Sequence, residues 1–218
     1  MSFKGIIFDL DGTLVNTLYD IGFHINNILA RYSYPAFPMD KVNTIVGWGL
    51  KEALRKVIPP EDSADETYLC RLTAELIGEY NREPVLKSVL YPGIHELLDE
   101  LATRGILLSV FSNKSQPVTL QVVDRLMGLK RFSTVLGSDA GFPRKPDPAG
   151  ALEVIRRMGL EKEDILYIGD TILDHQVAVG AGIADITVTW GFRSREQLSE
   201  QGASNFVDVP AEILRYFN

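Results

Sequence analysis

The chain has a single cysteine, Cys70, among its 218 residues, so no internal disulfide can form. A small, buried, apolar role is expected of Cys70. Such sparing use of cysteine fits a reducing cytosol, and a cytoplasmic location is the expectation. Basic runs are also missing: 22 Lys and Arg stand against 29 Asp and Glu, for a net charge of −7. Nucleic acid is therefore not expected as a partner. No apolar run is long enough to cross a bilayer, and no positively charged leader precedes the first apolar segment, so no membrane association is expected. Internal repeats and low-complexity tracts are absent too. With 45% hydrophobic and 23% charged residues, the composition is that of a globular protein with a real core. An acidic chain is a poor host for a bare anion, so any phosphate site must be built locally.

What is present centres on Phe8-Asp9-Leu10-Asp11-Gly12-Thr13-Leu14. The run Gly5-Ile6-Ile7-Phe8 reads as a buried strand. Alternate residues of an extended chain point the same way, so Asp9 and Asp11 can face one site. Two carboxylates ending a buried strand repel each other and lose solvation, which is costly unless a cation, hydrogen bonds or chemistry requires them. Asp-Gly alone reads as an ordinary turn; the whole heptapeptide favours a functional reading.

Helical spacing follows at Leu18, Ile21, Ile25, Ile28, Leu29 and Tyr32, and ends at Pro35 and Pro38, with Asp40 as a candidate cap for the next element. Gly47-Trp48-Gly49 reads as a loop. Helices are expected over Leu50–Val57, ending at Pro59-Pro60, and over about Asp65 to Tyr80. Residues 16–85 thus look all-helical. From Tyr91 the pattern changes to alternating strands and helices. Strands are expected at Ile106–Phe111, Thr134–Leu136, Ile165–Ile168 and Ile186–Trp190, with a short last one at Phe206-Val207. Helices are expected from Ile94 to an end at Gly105, and at 117–127, 149–158 and 174–181. This alternation predicts an α/β fold, a parallel sheet with helices on both faces. Ligands of such sheets sit beyond the carboxyl ends of the strands. Asp9 and Asp11, Ser112 with Asn113, Lys145, and Asp170 with Asp174 all fall at such ends. Singly, each has a bland reading as a turn, cap or solvated residue; four segments converging on one sheet edge are harder to dismiss.

In this order the motifs resemble those of the haloacid dehalogenase superfamily, over nearly the whole chain. They are Asp9-Leu-Asp11-Gly-Thr, Ser112 at the end of the second core strand, Lys145 before Pro-Asp-Pro, and Gly169-Asp170-Thr-Ile-Leu-Asp174. Tyr91-Pro-Gly and Thr189-Trp-Gly look most like the phosphoglycolate phosphatase-like branch. The resemblance implies a Rossmann-like core from residues 1–15 and 86–218, with 16–85 inserted as a helical cap of the first type. It implies a magnesium-dependent phosphatase acting on a small phosphorylated metabolite, phosphoglycolate-like or a sugar phosphate, through an aspartyl-phosphate. Asp9 would be the nucleophile and Asp11 the general acid and base. Asp9, the backbone carbonyl of Asp11, and Asp170 would hold Mg2+, with Asp174 binding directly or through water. Ser112 and the neighbouring amide of Asn113 would hold phosphoryl oxygens, and Lys145 would balance charge. A sugar-phosphate mutase or pyrophosphatase of the same superfamily is the enzymatic alternative. A phospho-acceptor or binding module is the non-enzymatic one, disfavoured because no motif residue is missing. Dehalogenation has no use for an acid at Asp11, and no cap lysine stands out for Schiff-base chemistry. His24, His95 and His175 lack ligand spacing and are expected to be packing or surface residues. Trp48 is a candidate substrate contact or a core residue. Arg193 and Arg195 read as solvated charges.

Overall fold

A computed structural model describes residues 3–217. The chain divides into two compact units, Met1–Asn16 with Val89–Asn218, and Thr17–Ser88. Along the chain, β1 is Gly5–Phe8 and β2 is Val15–Asn16. Helices α1 (Leu18–Arg31), α2 (Leu50–Val57), α3 (Pro60–Ala64) and α4 (Glu66–Arg82) make up most of the second unit. There follow β3 (Val89–Leu90), α5 (Ile94–Thr103), β4 (Leu107–Ser115), α6 (Gln116–Met127), β5 (Thr134–Ser138), α7 (Ala149–Met158) and β6 (Ile165–Gly169). The chain closes with α8 (Ile172–Ala181), β7 (Ala184–Val188), α9 (Arg195–Glu200) and β8 (Phe206–Val207).

The first unit is built on a six-stranded sheet of order β5-β4-β1-β6-β7-β8, parallel throughout. All four residues of β1 are buried, as a central strand covered by helices on both faces requires. The sheet is Rossmann-like: from β1 the chain runs outward through β4 and β5, then returns to place β6 on the other flank. That reversal makes the carboxyl end of β1 the topological switch point. Phe8 pairs with both Val110 and Ile168, so the residues following β1 and β6 leave the sheet at one level. Below them Ile7, Phe111, Ala151, Val154, Tyr167 and Val177 form part of one buried apolar cluster. Packing there is close enough to need glycine, since a Cβ on Gly150 would run into the Phe111 ring.

β2 and β3 form a separate antiparallel pair, Val15 opposite Leu90 and Asn16 opposite Val89. They are the outgoing and returning strands around the helical unit. Inside that unit Leu69, Leu72, Leu76 and Tyr80 form the buried stripe of α4. Its two chain ends are tied by fully buried Asp20, whose carboxylate accepts from the amides of Leu86 (3.0 Å), Lys87 (2.8 Å) and Ser88 (3.0 Å) and from Ser88 Oγ (2.5 Å).

Several expectations need correction. β4 runs on to Ser115, so Ser112, Asn113 and Lys114 lie within the strand rather than after it. The apolar pattern stops at Phe111, but backbone pairing resumes at Ser115 opposite Ser138 after a register shift. α2 does end just before Pro59-Pro60, but Pro60 then opens a short further helix at its first position, which the sequence reading did not include. Asp40 caps nothing with its side chain. Asp65 does the capping, accepting from the amides of Thr67 (2.9 Å) and Tyr68 (3.0 Å). Cys70 is exposed, because it sits one residue, about 100° of helix rotation, past Leu69 on the buried stripe. α9 was too short for periodicity to reveal; its capping box, Ser194 with Gln197, was the available signal. Among the described residues no helix is long and apolar enough to cross a membrane.

Candidate active site

Asp9 follows β1 directly, and its amide donates to the Ile168 carbonyl of β6 at 2.8 Å. This bond extends the sheet by one residue and fixes the carboxylate at the switch point. Asp170 follows β6, and Asp174 is the third residue of α8, where it closes a capping box with Thr171. Asp9, Asp170 and Asp174 are all buried, and each offers an oxygen within 4.8 Å of the others. Three buried carboxylates so close are unfavourable by themselves.

Lys145, 3% exposed, lies among them. Its Nζ is 2.6 Å from Asp174 Oδ1 and 2.9 Å from Asp9 Oδ1. The Asn113 side chain aims this lysine: its Oδ1 accepts from the Lys145 amide at 2.8 Å, and its Nδ2 donates to the Lys145 carbonyl at 3.3 Å. Burial pulls the Lys145 ammonium down, but Asp174 and Asp9 outweigh it and hold the group well above its ordinary value. Burial pushes Asp9 up to about 7; Lys145 pulls it down, while Asp174 and Asp11 push it up. Asp170 is held well above the carboxylate range by burial and by Asp9 and Asp174, against donors from Phe192 and Thr13.

Asp170 Oδ1 accepts from Thr13 Oγ1 at 3.1 Å and Oδ2 from the Phe192 amide at 2.9 Å. The backbone around it is tight. Gly12 has φ +89°, and a Cβ on either Gly12 or Gly191 would strike Asp170. Asp174 is fully engaged: Oδ1 accepts from Lys145 and from Tyr167 Oη (3.3 Å), Oδ2 from the Thr171 amide (3.1 Å) and Thr171 Oγ1 (2.7 Å).

The Asp11 carboxylate stands outside this trio. Both of its oxygens lie 3.0 Å from Lys114 Nζ. Ser112, also buried, accepts from the Lys114 amide at 3.3 Å. Every residue expected at the site thus lies at the carboxyl edge of the sheet, in the trio or in direct contact with another expected residue or with Lys114. Sequence reading missed Lys114, Thr13 and Tyr167. Lys114 gave no signal in the sequence, because the apolar run that marks the strand stops at Phe111 while the strand itself continues to Ser115.

The residues fit a divalent cation. All their donors are hard oxygens. Four carboxylates, Asp9, Asp11, Asp170 and Asp174, face two ammonium groups, Lys114 and Lys145, leaving two negative charges when all are ionised. Among the described residues no other group of His, Cys, Asp and Glu is close enough to hold a metal. His24 contacts the Glu83 carbonyl, His95 pairs with Asp99 and His175 with Asp185, in keeping with packing or surface roles. Trp48 is 46% exposed, so it is no core residue. Gly47 and Gly49 on either side take positive φ. Arg193 is half-buried, with burial lowering its guanidinium against the charge of Asp170, so the expectation of a solvated charge fails there.

Residues 6–188 match the family described as haloacid dehalogenase-like hydrolase. A phosphoglycolate phosphatase of Rhodospirillum rubrum is 31% identical over 215 residues, covering 96% of this chain and 89% of that protein. A phosphoglycolate phosphatase of Caulobacter vibrioides is 31% identical over 210 residues, covering 94% and 88%. The crystal structure of a predicted phosphoglycolate phosphatase from Haemophilus somnus 129PT has a TM-score of 0.87 at 28% identity, covering 99% of this chain and 98% of that one. With the parallel sheet, the four motifs at its switch point and these relatives in agreement, the chain belongs to the haloacid dehalogenase-like hydrolases, as a phosphatase of their phosphoglycolate phosphatase-like branch.

Proposed function

We propose that the protein hydrolyses a small phosphate monoester, phosphoglycolate-like or a sugar phosphate, with Mg2+ and through a phosphorylated Asp9. The observation that carries this reading is Lys145 bridging Asp9 and Asp174 inside a buried trio of carboxylates. A phosphate monoester carries close to two negative charges at neutral pH, so a carboxylate attacks it only where positive charge is prearranged.

Asp9, Asp170 and the Asp11 carbonyl would hold the cation. Asp174, with four donors already on its oxygens, would act through an intervening water. When bound, magnesium would screen the phosphoryl charge and polarise its oxygens.

The chain's own residues would do the rest. Ser112 Oγ and the Asn113 amide would hold phosphoryl oxygens. Asp9 Oδ would attack phosphorus, and the bond from phosphorus to the leaving oxygen would break as Asp11 delivers a proton to it. Water would then attack the phosphorus of the aspartyl-phosphate, giving a proton back to Asp11 and releasing phosphate and the Asp9 carboxylate. Lys145 would offset charge on Asp9 and on the group in transfer. The helical unit, inserted between β2 and β3, would be the cap that selects the substrate. A cytosolic setting fits a chain with one unpaired cysteine.

Phosphate release across a panel of phosphorylated metabolites, with magnesium and with chelator, tests this reading beside an Asp9→Asn control. Magnesium-dependent turnover that vanishes in Asp9→Asn supports it. Transfer of the phosphoryl group between sugars without net release would favour the mutase, and diphosphate cleavage the pyrophosphatase.

A further inference from the structure

Lys114, the ion-pair partner of Asp11, lies outside the four motifs. Lys114 is nearly fully buried, its side chain 2% exposed against 20% for that of Asp11. A long lysine side chain gives up its hydration only for a definite partner. The partner here is gripped through both carboxylate oxygens at 3.0 Å. The backbone that presents the lysine is itself fixed. Its amide donates to Ser112 Oγ (3.3 Å), its carbonyl accepts from Thr119 Oγ1 (3.1 Å), and a Cβ on Gly137 would stand 2.7 Å from that carbonyl.

From this geometry we infer that Lys114 is a positioning residue for proton transfer, acting on the reaction through Asp11. The inference rests on the phosphatase reading and extends it. As a carboxylate, Asp11 has both oxygens on the Lys114 ammonium. When Asp11 carries a proton, one oxygen stays on Lys114 and the other presents its O–H. The proton passes to the leaving oxygen as that oxygen parts from phosphorus, and the attacking water later restores it. Lys114 exchanges nothing in either step; it sets the direction in which Asp11 gives and takes. Lys145 has the corresponding place on Asp9 and Asp174, so each half of the proposed chemistry has its own buried ammonium.

The test separates leaving groups. An alkyl phosphate departs as a strongly basic alkoxide and needs the acid. A nitrophenyl phosphate departs as a weakly basic phenolate and needs it far less. Lys114→Met is expected to cost kcat on the alkyl substrate about 10–100-fold more than on the aryl one, within the usual range for general acid catalysis. Asp11→Asn should show the same selectivity, and the double variant should lose little beyond Asp11→Asn alone. Lys114→Gln, which keeps a donor without the charge, should fall between, and it carries the test if Lys114→Met does not fold. Equal losses on both substrates in either Lys114 variant would overturn the inference while leaving the phosphatase reading intact, since that pattern means contact with the phosphoryl group or general damage. A wild-type protein that releases phosphate from neither substrate would overturn both.

Discussion

Lys145 Nζ lies 2.6 Å from Asp174 Oδ1, with Asp9 Oδ1 at 2.9 Å on its other side. One buried ammonium thus joins the residue after β1 to the first turn of α8. Removing it leaves two buried carboxylates without their cation, a change that ordinarily costs about 3–5 kcal/mol. Lys145→Met should lower stability by that order in chelator, and by less in excess magnesium. Turnover should fall by about 10²–10³-fold or more, as when one preorganised charge donor is lost. Chemical denaturation with and without magnesium reads the first effect and phosphate release the second.

Burial raises Asp9 to about 7, against 3.8 for a free aspartate. A carboxylate raised in the folded state costs stability once ionised. That cost is absent below the unfolded value, grows as pH rises toward 7 and is complete above it. A bound cation needs Asp9 deprotonated, so cation binding at pH 6 should expel about one proton from Asp9, beyond what raised Asp170 releases, and Asp9 alone should lower apparent affinity about tenfold per unit as pH drops below 7. At pH 8 the Asp9 contribution to proton release should be nearly gone. Titration calorimetry in buffers of different ionisation enthalpy counts these protons. Release that is no greater at pH 6 than at pH 8 would contradict the assignment of Asp9 as a ligand.

Much of this site was legible because its residues are charged groups placed at the ends of apolar strands. Asp9 after Ile6-Ile7-Phe8 and Asp170 after Ile165-Leu166-Tyr167-Ile168 stand where solvation is lost and a reason is needed. Lys114 escaped for the opposite reason. Hydropathy ends β4 at Phe111, whereas the backbone ladder continues to Ser115, so Lys114 falls beyond the expected strand. Asn113 was legible by position, but the use of its side chain, clamping the Lys145 backbone, depends on β4 and the loop after β5 meeting in space. The exposure of Cys70 was within reach, since the Leu69, Leu72, Leu76 and Tyr80 stripe already filled the buried face of α4.

Gly12 combines φ +89° with a Cβ position that falls on the Asp170 carboxylate. Gly12→Ala should therefore strain the turn by about 1–2 kcal/mol and displace Asp170. Divalent-cation affinity should weaken by about 10–100-fold, as it does when a group orienting a ligand is lost. Wild-type cation affinity in Gly12→Ala would mean that Asp170 holds no cation.

Asp20 offers a test away from the chemistry. Its buried carboxylate satisfies three amides and one hydroxyl where the two chain ends of the helical unit meet. Asp20→Ala orphans them, and at about 1–3 kcal/mol for each buried group left unsatisfied, less what water recovers, about 3 kcal/mol of stability should be lost. An unfolding free energy within about 0.5 kcal/mol of wild type, about the usual effect of a surface substitution, would show that the clasp does not hold the unit closed.

The central claim is that Asp9 carries the phosphoryl group. The most direct measurement is peptide mass spectrometry of enzyme quenched in acid during turnover with magnesium and a good substrate. The account predicts a phosphoryl adduct on the peptide containing Asp9, absent in chelator and absent in Asp9→Asn. An adduct on another residue, or undiminished phosphate release by Asp9→Asn, would contradict it.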